Sequence, residues 1–194
     1  MKRLMLLVLC AGCALLGKSD PQISRYYTPE YDAGPAAFPP RSDLQLRLGR
    51  VEGWSHLRER MAMRHSTREL VYREDRRWTE RPEVYLRRAL SRALFEERGV
   101  IESLSGRGLS LDVELIAFEE IEQPHQARMQ ALLVLRDDHL GLLEETVTVE
   151  QPVAKGDDGQ AVADAFSLAL HAGVTRIADR VVARLSDRAP RAAQ

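Results

Sequence analysis

Alternation of apolar and polar residues predicts most of the strands of this chain. Leu44, Leu46 and Leu48 alternate with Gln45 and Arg47, and this period of two is typical of a half-buried strand. The same period, or enrichment in aromatic and β-branched residues, predicts further strands over residues 25–28, 57–65, 69–73, 111–117, 127–135 and 142–150. Serine and threonine separate the strands at 57–65 and 69–73 and favour a turn, so these two strands are expected to form a hairpin.

The first of two predicted helices begins near Pro82, because proline is favoured in the first turn of a helix. Leu86, Leu90 and Leu94 follow at the helical period and would share one face. Gly99 suits a C-cap, since glycine adopts the left-handed conformation that ends many helices. The charged run that precedes Pro82 is expected to link the previous strand to this helix.

A longer apolar stripe from Val162 to Leu185 predicts a second amphipathic helix that ends near Ser186. The order of elements is strands, helix, strands and helix, with connections that are mostly too short for parallel crossovers. The sequence therefore predicts an α+β fold in which a mainly antiparallel, mixed sheet packs against two amphipathic helices.

The start of the chain has the organisation of a bacterial export signal. Lys2 and Arg3 are basic, residues 4–9 are apolar, and two small residues then precede Cys13. Residues 9–13 read Leu-Cys-Ala-Gly-Cys and resemble the lipobox of bacterial lipoproteins, whose usual form is Leu-Ala/Ser-Gly/Ala-Cys. That resemblance implies that the signal is removed and that Cys13 becomes the acylated first residue. Several acyl chains, at about 0.8 kcal/mol for each buried CH2, give stable membrane attachment.

Other interpretations of this segment stay open. It also fits an ordinary secretory signal, or a buried N-terminal helix with two incidental cysteines. Cys10 and Cys13 have the spacing of a CxxC redox motif, but such motifs follow a strand within a folded domain, whereas these cysteines lie beside the start methionine. The apolar run from Leu4 to Leu16 is shorter than the roughly 20 residues that span a bilayer.

The residue after Cys13 bears on the destination of the protein. In known bacterial lipoproteins an Asp at that position favours retention at the inner membrane, and here the residue is Ala14. The resemblance therefore implies a lipid-anchored protein on the periplasmic leaflet of the outer membrane, in a Gram-negative cell envelope. Residues 14–24 are mostly polar or small and include Pro21, so they are interpreted as a tether of about 35 Å when extended, at roughly 3.3 Å per residue.

Length and composition predict a single folded domain. The chain has 194 residues, of which 44% are hydrophobic and 29% charged, as in ordinary globular proteins. The predicted organisation is a signal peptide at 1–12, the acylated cysteine and tether at 13–24, one α+β domain at 25–187 and a frayed tail at 188–194. A net charge of −1 lacks the basic footprint of nucleic-acid binding, so nucleic acid is not expected as a partner.

The histidines do not predict a metal site. No pair has the spacing of paired zinc ligands, and neither a metal nor another cofactor is expected. Solvated side chains near strand ends and turns are the favoured interpretation, apart from the last residue of the set, which lies on the final helix. The histidines are His56, His65, His125, His139 and His171.

A run of carboxylates is the strongest candidate for acid–base chemistry. Glu119, Glu120 and Glu122 follow a predicted strand, and paired carboxylates with different pKa values are the basis of many acid–base mechanisms. A solvated strand end explains the same residues more simply. We therefore favour the solvated strand end and predict no catalytic residue.

An arginine cluster and a tyrosine pair are the two candidate sites of membrane contact. Arg73, Arg76 and Arg77 lie beside Trp78, and guanidinium groups bind anionic headgroups well. Neutralisation by the neighbouring acidic side chains is favoured instead; these are Glu74, Asp75 and Glu80. Adjacent tyrosines at the end of the tether, Tyr26 and Tyr27, would contact a membrane or partner, or pack within a strand, which is the commoner use of such pairs.

Several landmarks follow one another along the chain in a recognisable order. They are the lipobox Cys13, Tyr26-Tyr27, Leu44-x-Leu46-x-Leu48, a strand ending in Arg64, Leu70-Val71-Tyr72, Trp78 before the helix at Pro82, three later strands and an alanine-rich last helix. Over roughly residues 13 to 186 this order resembles the ABC-type transport auxiliary lipoproteins, a family that includes the paraquat-inducible protein C-like subunits.

The resemblance implies a non-catalytic periplasmic lipoprotein that works with MCE-domain proteins and an inner-membrane ABC transporter. MCE-domain proteins carry phospholipids or other hydrophobic molecules between the two membranes, and this subunit would dock the end of the partner's channel at the membrane. If the partner is a ring, the subunit is expected to form a homo-oligomeric ring, because a heterologous interface that closes gives cyclic symmetry. A chaperone or assembly factor for an outer-membrane β-barrel is the alternative, and a hydrolase of lipid or peptidoglycan is a third.

Overall fold

Eight strands form one mixed sheet in this computed structural model. The structure describes residues 23–36, 41–104, 108–138, 140–154, 156 and 158–188, and for residues 41–43 it describes the backbone alone. The strands are β1 (Arg25–Tyr27), β2 (Arg41–Gly53), β3 (Arg60–Ser66), β4 (Glu69–Trp78), β5 (Val100–Glu102), β6 (Ser110–Ile121), β7 (Gln126–Arg136) and β8 (Gly141–Pro152). The helices are α1 (Pro82–Ser91), which continues as a π-helical segment (Arg92–Glu97), and α2 (Gly159–Arg188). The predicted α+β class with a mixed sheet and two helices is confirmed.

Long antiparallel pairs form one side of the sheet. Strand β7 lies antiparallel to both β6 and β8 along nearly its whole length. On the other side of β6, β2 pairs with residues 110–115 and β3 pairs with residues 119–121, and both run parallel to β6. Two strands therefore follow one another along the same edge of β6. The remaining pairs are β3 with β4, antiparallel, and β4 with β1 and β2 with β5, both parallel.

The parallel pairs arise between strands that are distant in sequence. Parallel strands need a crossover connection, and α1 lies between β2 or β3 and their later partner β6. The lengths of the connections between sequential strands predict the antiparallel hairpins but not these parallel pairs. The short strand β5 was also not predicted, and β4 extends to Trp78, so the charged run before α1 is part of a strand.

Both helices pack on one face of the sheet and enclose the core. Helix α1 begins at Pro82 as predicted, and Gly99 adopts a φ of 66° just after the helical segment ends. Helix α2 buries its apolar stripe, including Val162, Ile177 and Leu185, which confirms the predicted amphipathic helix. Burying a large apolar side chain contributes about 1.5–3 kcal/mol, so this interface holds α2 on the sheet.

Three aromatic rings meet at the centre of the core. Trp78 lies at the end of β4, Phe118 on β6 and Phe166 on α2, and all three are almost fully buried. The ring centroids of Trp78 and Phe166 are 5.0 Å apart, and those of Phe118 and Phe166 are 4.4 Å apart. Such contacts add to the free energy of burial. They join the two sides of the sheet to the final helix.

Candidate functional site

The face of the sheet opposite the two helices, called the helix-free face below, contains a crevice. It lies where the neighbour of β6 changes from β2 to β3. Strand β2 ends at Gly53, the chain leaves the sheet over residues 54–59, and β3 resumes the pairing with β6. The backbone N–H of Trp54 donates to the carbonyl of Leu115 at 3.0 Å, so the excursion begins level with the middle of β6. The crevice has a volume of about 540 Å³.

A β-bulge in β6 lies at the same level. Leu115 pairs with Ala131 of β7, but Ala117 pairs with Gln130, so Ile116 is an extra residue on β6. A bulge of one residue reverses which side chains face each side of a strand. Before it, odd-numbered residues face the helices; after it, even-numbered residues such as Phe118 do.

This reversal corrects the predicted pattern of β6. The alternation in the sequence placed Ala117 on the same face as Leu111, Val113 and Leu115, but Ala117 lines the crevice on the opposite face. The bulge also places Glu119 on the crevice side and directs Glu120 toward the helix side. Adjacent glutamates therefore enter two different environments.

Glu119 is the floor of the crevice and is held by two arginines. Its side chain is fully buried. Arg64 on β3 donates from Nη2 to Oε2 at 2.7 Å and from Nε to Oε1 at 3.2 Å. Arg128 on β7 donates from Nη2 to Oε1. The carboxylate thus links β3, β6 and β7 at the place where the sheet is interrupted.

These arginines keep Glu119 ionised. Burial alone would raise the pKa of this carboxyl, but the hydrogen bonds and positive charges of Arg64 and Arg128 outweigh burial and hold its pKa below the ordinary value. A general acid at neutral pH needs the opposite shift. The group is suited to holding strands together and to presenting a fixed, charged floor.

His56 and Trp54 form one rim of the crevice. Their rings meet edge to face with centroids 6.1 Å apart, and 45% of Trp54 is exposed. The Tyr72 hydroxyl donates to the backbone carbonyl of His56 at 2.9 Å, which holds the excursion over β4. Burial lowers the pKa of His56, Glu119 opposes that shift, and Arg64 adds to it. The net lowering of this pKa favours the neutral form of the His56 ring.

Glu120 anchors a second ionic cluster on the other side of β6. Only 2% of the Glu120 side chain is exposed. Arg73 donates from Nη2 to Glu120 Oε1 at 3.1 Å, and His125 Nε2 lies 2.9 Å from that Oε1 atom. The expectation of a solvated strand end is therefore wrong for Glu119 and Glu120. Glu122 is partly exposed and pairs with His65.

The histidines do not converge on one site. His56 and His65 line the crevice, His125 contacts Glu120, and His171 stacks on Tyr31 with ring centroids 5.2 Å apart. His139 lies outside the described residues. His56 and His125 are only partly exposed, which corrects the expectation that they are solvated. Within the described ranges, no group of three His, Cys, Asp or Glu residues is placed to hold a metal ion.

The arginines near Trp78 have separate partners. Arg76 is 5% exposed, and its Nε lies 3.4 Å from Oδ2 of Asp75. This ion pair agrees with the expectation that neighbouring acidic side chains neutralise the arginines. Arg73 instead reaches Glu120 on β6. The other two acidic neighbours pair elsewhere: Glu74 with Arg60, and Glu80 with Arg88.

The two adjacent tyrosines face opposite ways. Tyr27 packs against the start of α2, where its hydroxyl closely approaches Gly159, as expected for strand packing. Tyr26 is 62% exposed. The acylation site Cys13 lies outside the described residues, and none of the described helices has the length and apolar character required to cross a bilayer.

Comparison with protein families identifies the chain. The model of the ABC-type transport auxiliary lipoprotein component matches residues 28–182. The chain belongs to this family. The match covers the sheet from the end of β1 onward, α1 and most of α2, and thus includes both the crevice and the core. Among curated proteins, no sequence matches this family member significantly.

Solved structures share the fold of this auxiliary lipoprotein. A Xanthomonas campestris protein of family DUF330 is similar with a TM-score of 0.74 and 19% identity, covering 84% of this chain and 98% of that one. An uncharacterised protein gives a TM-score of 0.66 at 13% identity, over 82% and 99% of the two chains. A hypothetical protein from Chlamydia trachomatis gives 0.54 at 10% identity, over 75% and 99%. At these identities the likeness concerns the fold.

Proposed function

We propose that this protein is a lipid-anchored subunit on the periplasmic leaflet of the outer membrane that docks an MCE-domain protein of an ABC-type lipid transport system. The observation that carries the proposal is the family match over residues 28–182, which makes the chain an auxiliary component of ABC-type transport. The lipobox-like segment ending at Cys13 supports the anchor.

The crevice on the helix-free face is the proposed docking surface. Glu119 is paired with both Arg64 and Arg128, so a partner that covers it need not desolvate an unpaired carboxylate, and the cluster as a whole retains one positive charge. Trp54 offers an exposed aromatic side chain at the rim, and such side chains are enriched at the energetic centre of interfaces. The crevice therefore suits recognition by shape.

The proposed role is mechanical and includes no catalysis by this subunit. The carboxylate in the crevice has a depressed pKa and is engaged by two guanidinium groups, which suits a structural role. The chemistry of transport would be supplied by the ATPase of the partner complex, and this chain would hold the complex against the membrane.

Recovery of partners from the native membrane tests this proposal. The full chain is captured from a detergent extract of its host, together with two variants, Trp54→Glu on the crevice rim and Leu168→Glu on α2. Leu168 is a matched control because it is an exposed apolar residue on the helix side, with 58% of its surface accessible.

We expect the unmodified chain and Leu168→Glu to recover MCE and ABC components, and Trp54→Glu to recover them several-fold less at unchanged thermal stability. Recovery of an outer-membrane β-barrel instead would favour an assembly factor. Recovery of neither partner, together with turnover of added lipid or peptidoglycan, would favour a hydrolase.

A further inference from the structure

The described chain begins on the helix-free side of the sheet, beside β4. Ile23 is 81% exposed. The Ser24 hydroxyl donates to the carbonyl of Glu74 and accepts from Arg77 Nε, both at 3.3 Å. The residues between Cys13 and Ile23 reach at most about 35 Å. An acyl anchor on Cys13 would thus keep this corner of the domain close to the bilayer.

Tyr26, Arg77 and Arg60 form a row across three neighbouring strands at this corner. Tyr26 of β1 pairs with Arg77 of β4, and Arg77 pairs with Arg60 of β3. Paired residues on adjacent strands project from the same face of a sheet. Neighbouring residues of a strand face opposite sides of the sheet, and Tyr27 packs toward α2. Tyr26 therefore lies on the helix-free face, and so do the two arginines that are paired in register with it. We call these three residues the edge row.

The edge row has more positive charge than its own contacts neutralise. Arg60 and Arg77 stand directly opposite each other, and like charges in that position are destabilising. Arg60 reaches Glu74 at 3.7 Å, with 45% and 65% of the two side chains exposed, so this pair contributes little. Arg77 donates to a hydroxyl of Ser24, which carries no charge.

We propose that the edge row rests on phospholipid headgroups beside the acyl anchor, a contact that depends on the lipid anchor of the proposed function. Guanidinium groups bind phosphate oxygens with two parallel hydrogen bonds, and an exposed tyrosine suits the boundary between headgroups and acyl chains. Ile23 adds apolar surface at the same corner. The tether confines the row to the bilayer, so a shallow surface is sufficient for contact.

The row would also orient the domain. An anchor on a flexible tether leaves a domain free to rotate above the membrane, whereas a second contact fixes one corner downward. The helix-free face would then present its crevice at a defined height and direction to a partner that arrives from the periplasm.

Photocrosslinking from Tyr26 tests the contact. The full chain carries two substitutions, Cys10→Ser and Tyr26→p-benzoylphenylalanine. Its remaining thiol, on Cys13, is coupled to a maleimide-bearing lipid in vesicles of phosphatidylcholine and phosphatidylglycerol. The control carries the same substitution at Val84 on α1, which is 38% exposed and lies on the helix side. Lipid adducts are counted by intact mass after illumination.

We expect lipid adducts at least about fivefold more abundant from position 26 than from position 84. Adding Arg60→Gln and Arg77→Gln should lower the adducts from position 26 by more than about fivefold, since a basic residue near an anionic surface has an effect of that size. The melting temperature of this variant should stay equal or rise, because the substitutions remove a like-charge pair.

Equal labelling from positions 26 and 84, or labelling at 26 that the arginine substitutions leave unchanged, would overturn the headgroup contact. So would adducts from position 26 to a second protein in place of lipid when the same variant is illuminated in host membranes. The maleimide lipid supplies the anchor in the vesicle arm, so absence of acylation on protein from its host would refute the native anchor separately.

Discussion

The environment of Glu119 comes from two other strands. Arg64 lies on β3, 55 positions before Glu119, and Arg128 lies nine positions after it, opposite Glu119 on β7. A carboxylate that follows an apolar alternation is usually solvated, so the sequence alone favours that interpretation for both Glu119 and Glu120. Charged residues become fully buried only when they are paired, and the pairing here depends on tertiary contacts.

Removing the charge of Glu119 should destabilise the domain. In Glu119→Gln the two guanidinium groups lose their shared counter-charge while they remain close together, and breaking a buried ion pair costs about 3–5 kcal/mol. Because about a quarter of each arginine side chain is exposed, we expect a loss of about 2–4 kcal/mol in the free energy of unfolding, measured in urea.

Glu122→Gln is the matched control for this prediction. Glu122 also pairs with a basic side chain, His65, but both are substantially exposed, and surface pairs contribute about 0–1 kcal/mol. If both glutamine variants unfold at the same urea concentration, the ion pairs of Glu119 with Arg64 and Arg128 do not stabilise the fold.

Stability should fall in two steps as the pH is lowered. The pKa of His56 is lower in the folded protein than in the unfolded chain, so the unfolded state binds a proton first and stability declines below about pH 6.5. The pKa of Glu119 is also lower when folded, so its stabilisation is complete above about pH 4.3 and is lost as the pH falls through the folded value. Urea unfolding at successive pH values measures both steps.

The variant His56→Gln separates the two contributions. It should lack the upper step and keep the lower one, because glutamine does not titrate. A variant that retains the full decline between neutral pH and pH 5 would show that burial of His56 does not control it.

Helix α2 is the element that the sequence predicts best. Its apolar stripe repeats at the helical period over many turns, and the structure buries Val162, Ile177 and Leu185 as that stripe requires. The bulge at Ile116 has no comparable signal, because its register depends on β7. Up to Leu115 the alternation of β6 indicates the correct face; beyond it the same rule places Ala117 and Glu119 on the wrong face.

A charge in the stripe of α2 should be costly. Ile177 is fully buried, so Ile177→Asp places an unpaired carboxylate in the core and should lower the free energy of unfolding by about 3–5 kcal/mol. Leu168→Asp makes the same kind of change on the exposed side of the helix and should shift it by about 0.5 kcal/mol or less. Thermal unfolding of the two variants compares them, and similar melting temperatures would refute the packing of α2.

The α+β class could be predicted from the order of the elements and the family from short landmarks, whereas the path of the sheet could not. Parallel pairing of β2 and β3 with β6 joins residues about 60 positions apart, and local patterns do not encode such partners. The crevice results from this pairing. Its position therefore depends on tertiary strand pairing, for which the sequence contains no local signal.

The proposed anchor on Cys13 should be separable from the fold. Cys13→Ser should leave the melting temperature of the domain unchanged but release the protein from host membranes, since the acyl chains would have no thiol to attach to. Cys10→Leu restores the usual first residue of the lipobox and should stay membrane-bound. Alkaline and high-salt washing followed by sedimentation measures both variants. Retention of Cys13→Ser in the washed membranes would contradict the lipid anchor.

Strand β8 pairs with β7 and borders the sheet in the described part of the chain. Proteins tied to a surface by their N-termini move in two dimensions and collide far more often than the same number of molecules in solution. A long bordering strand would then invite edge-to-edge pairing with the sheet of another copy. Glu144 and Glu150 are exposed along β8, whereas Glu145 pairs with Arg180 of α2. Repulsion between the exposed carboxylates of neighbouring copies would keep crowded copies from pairing at their borders.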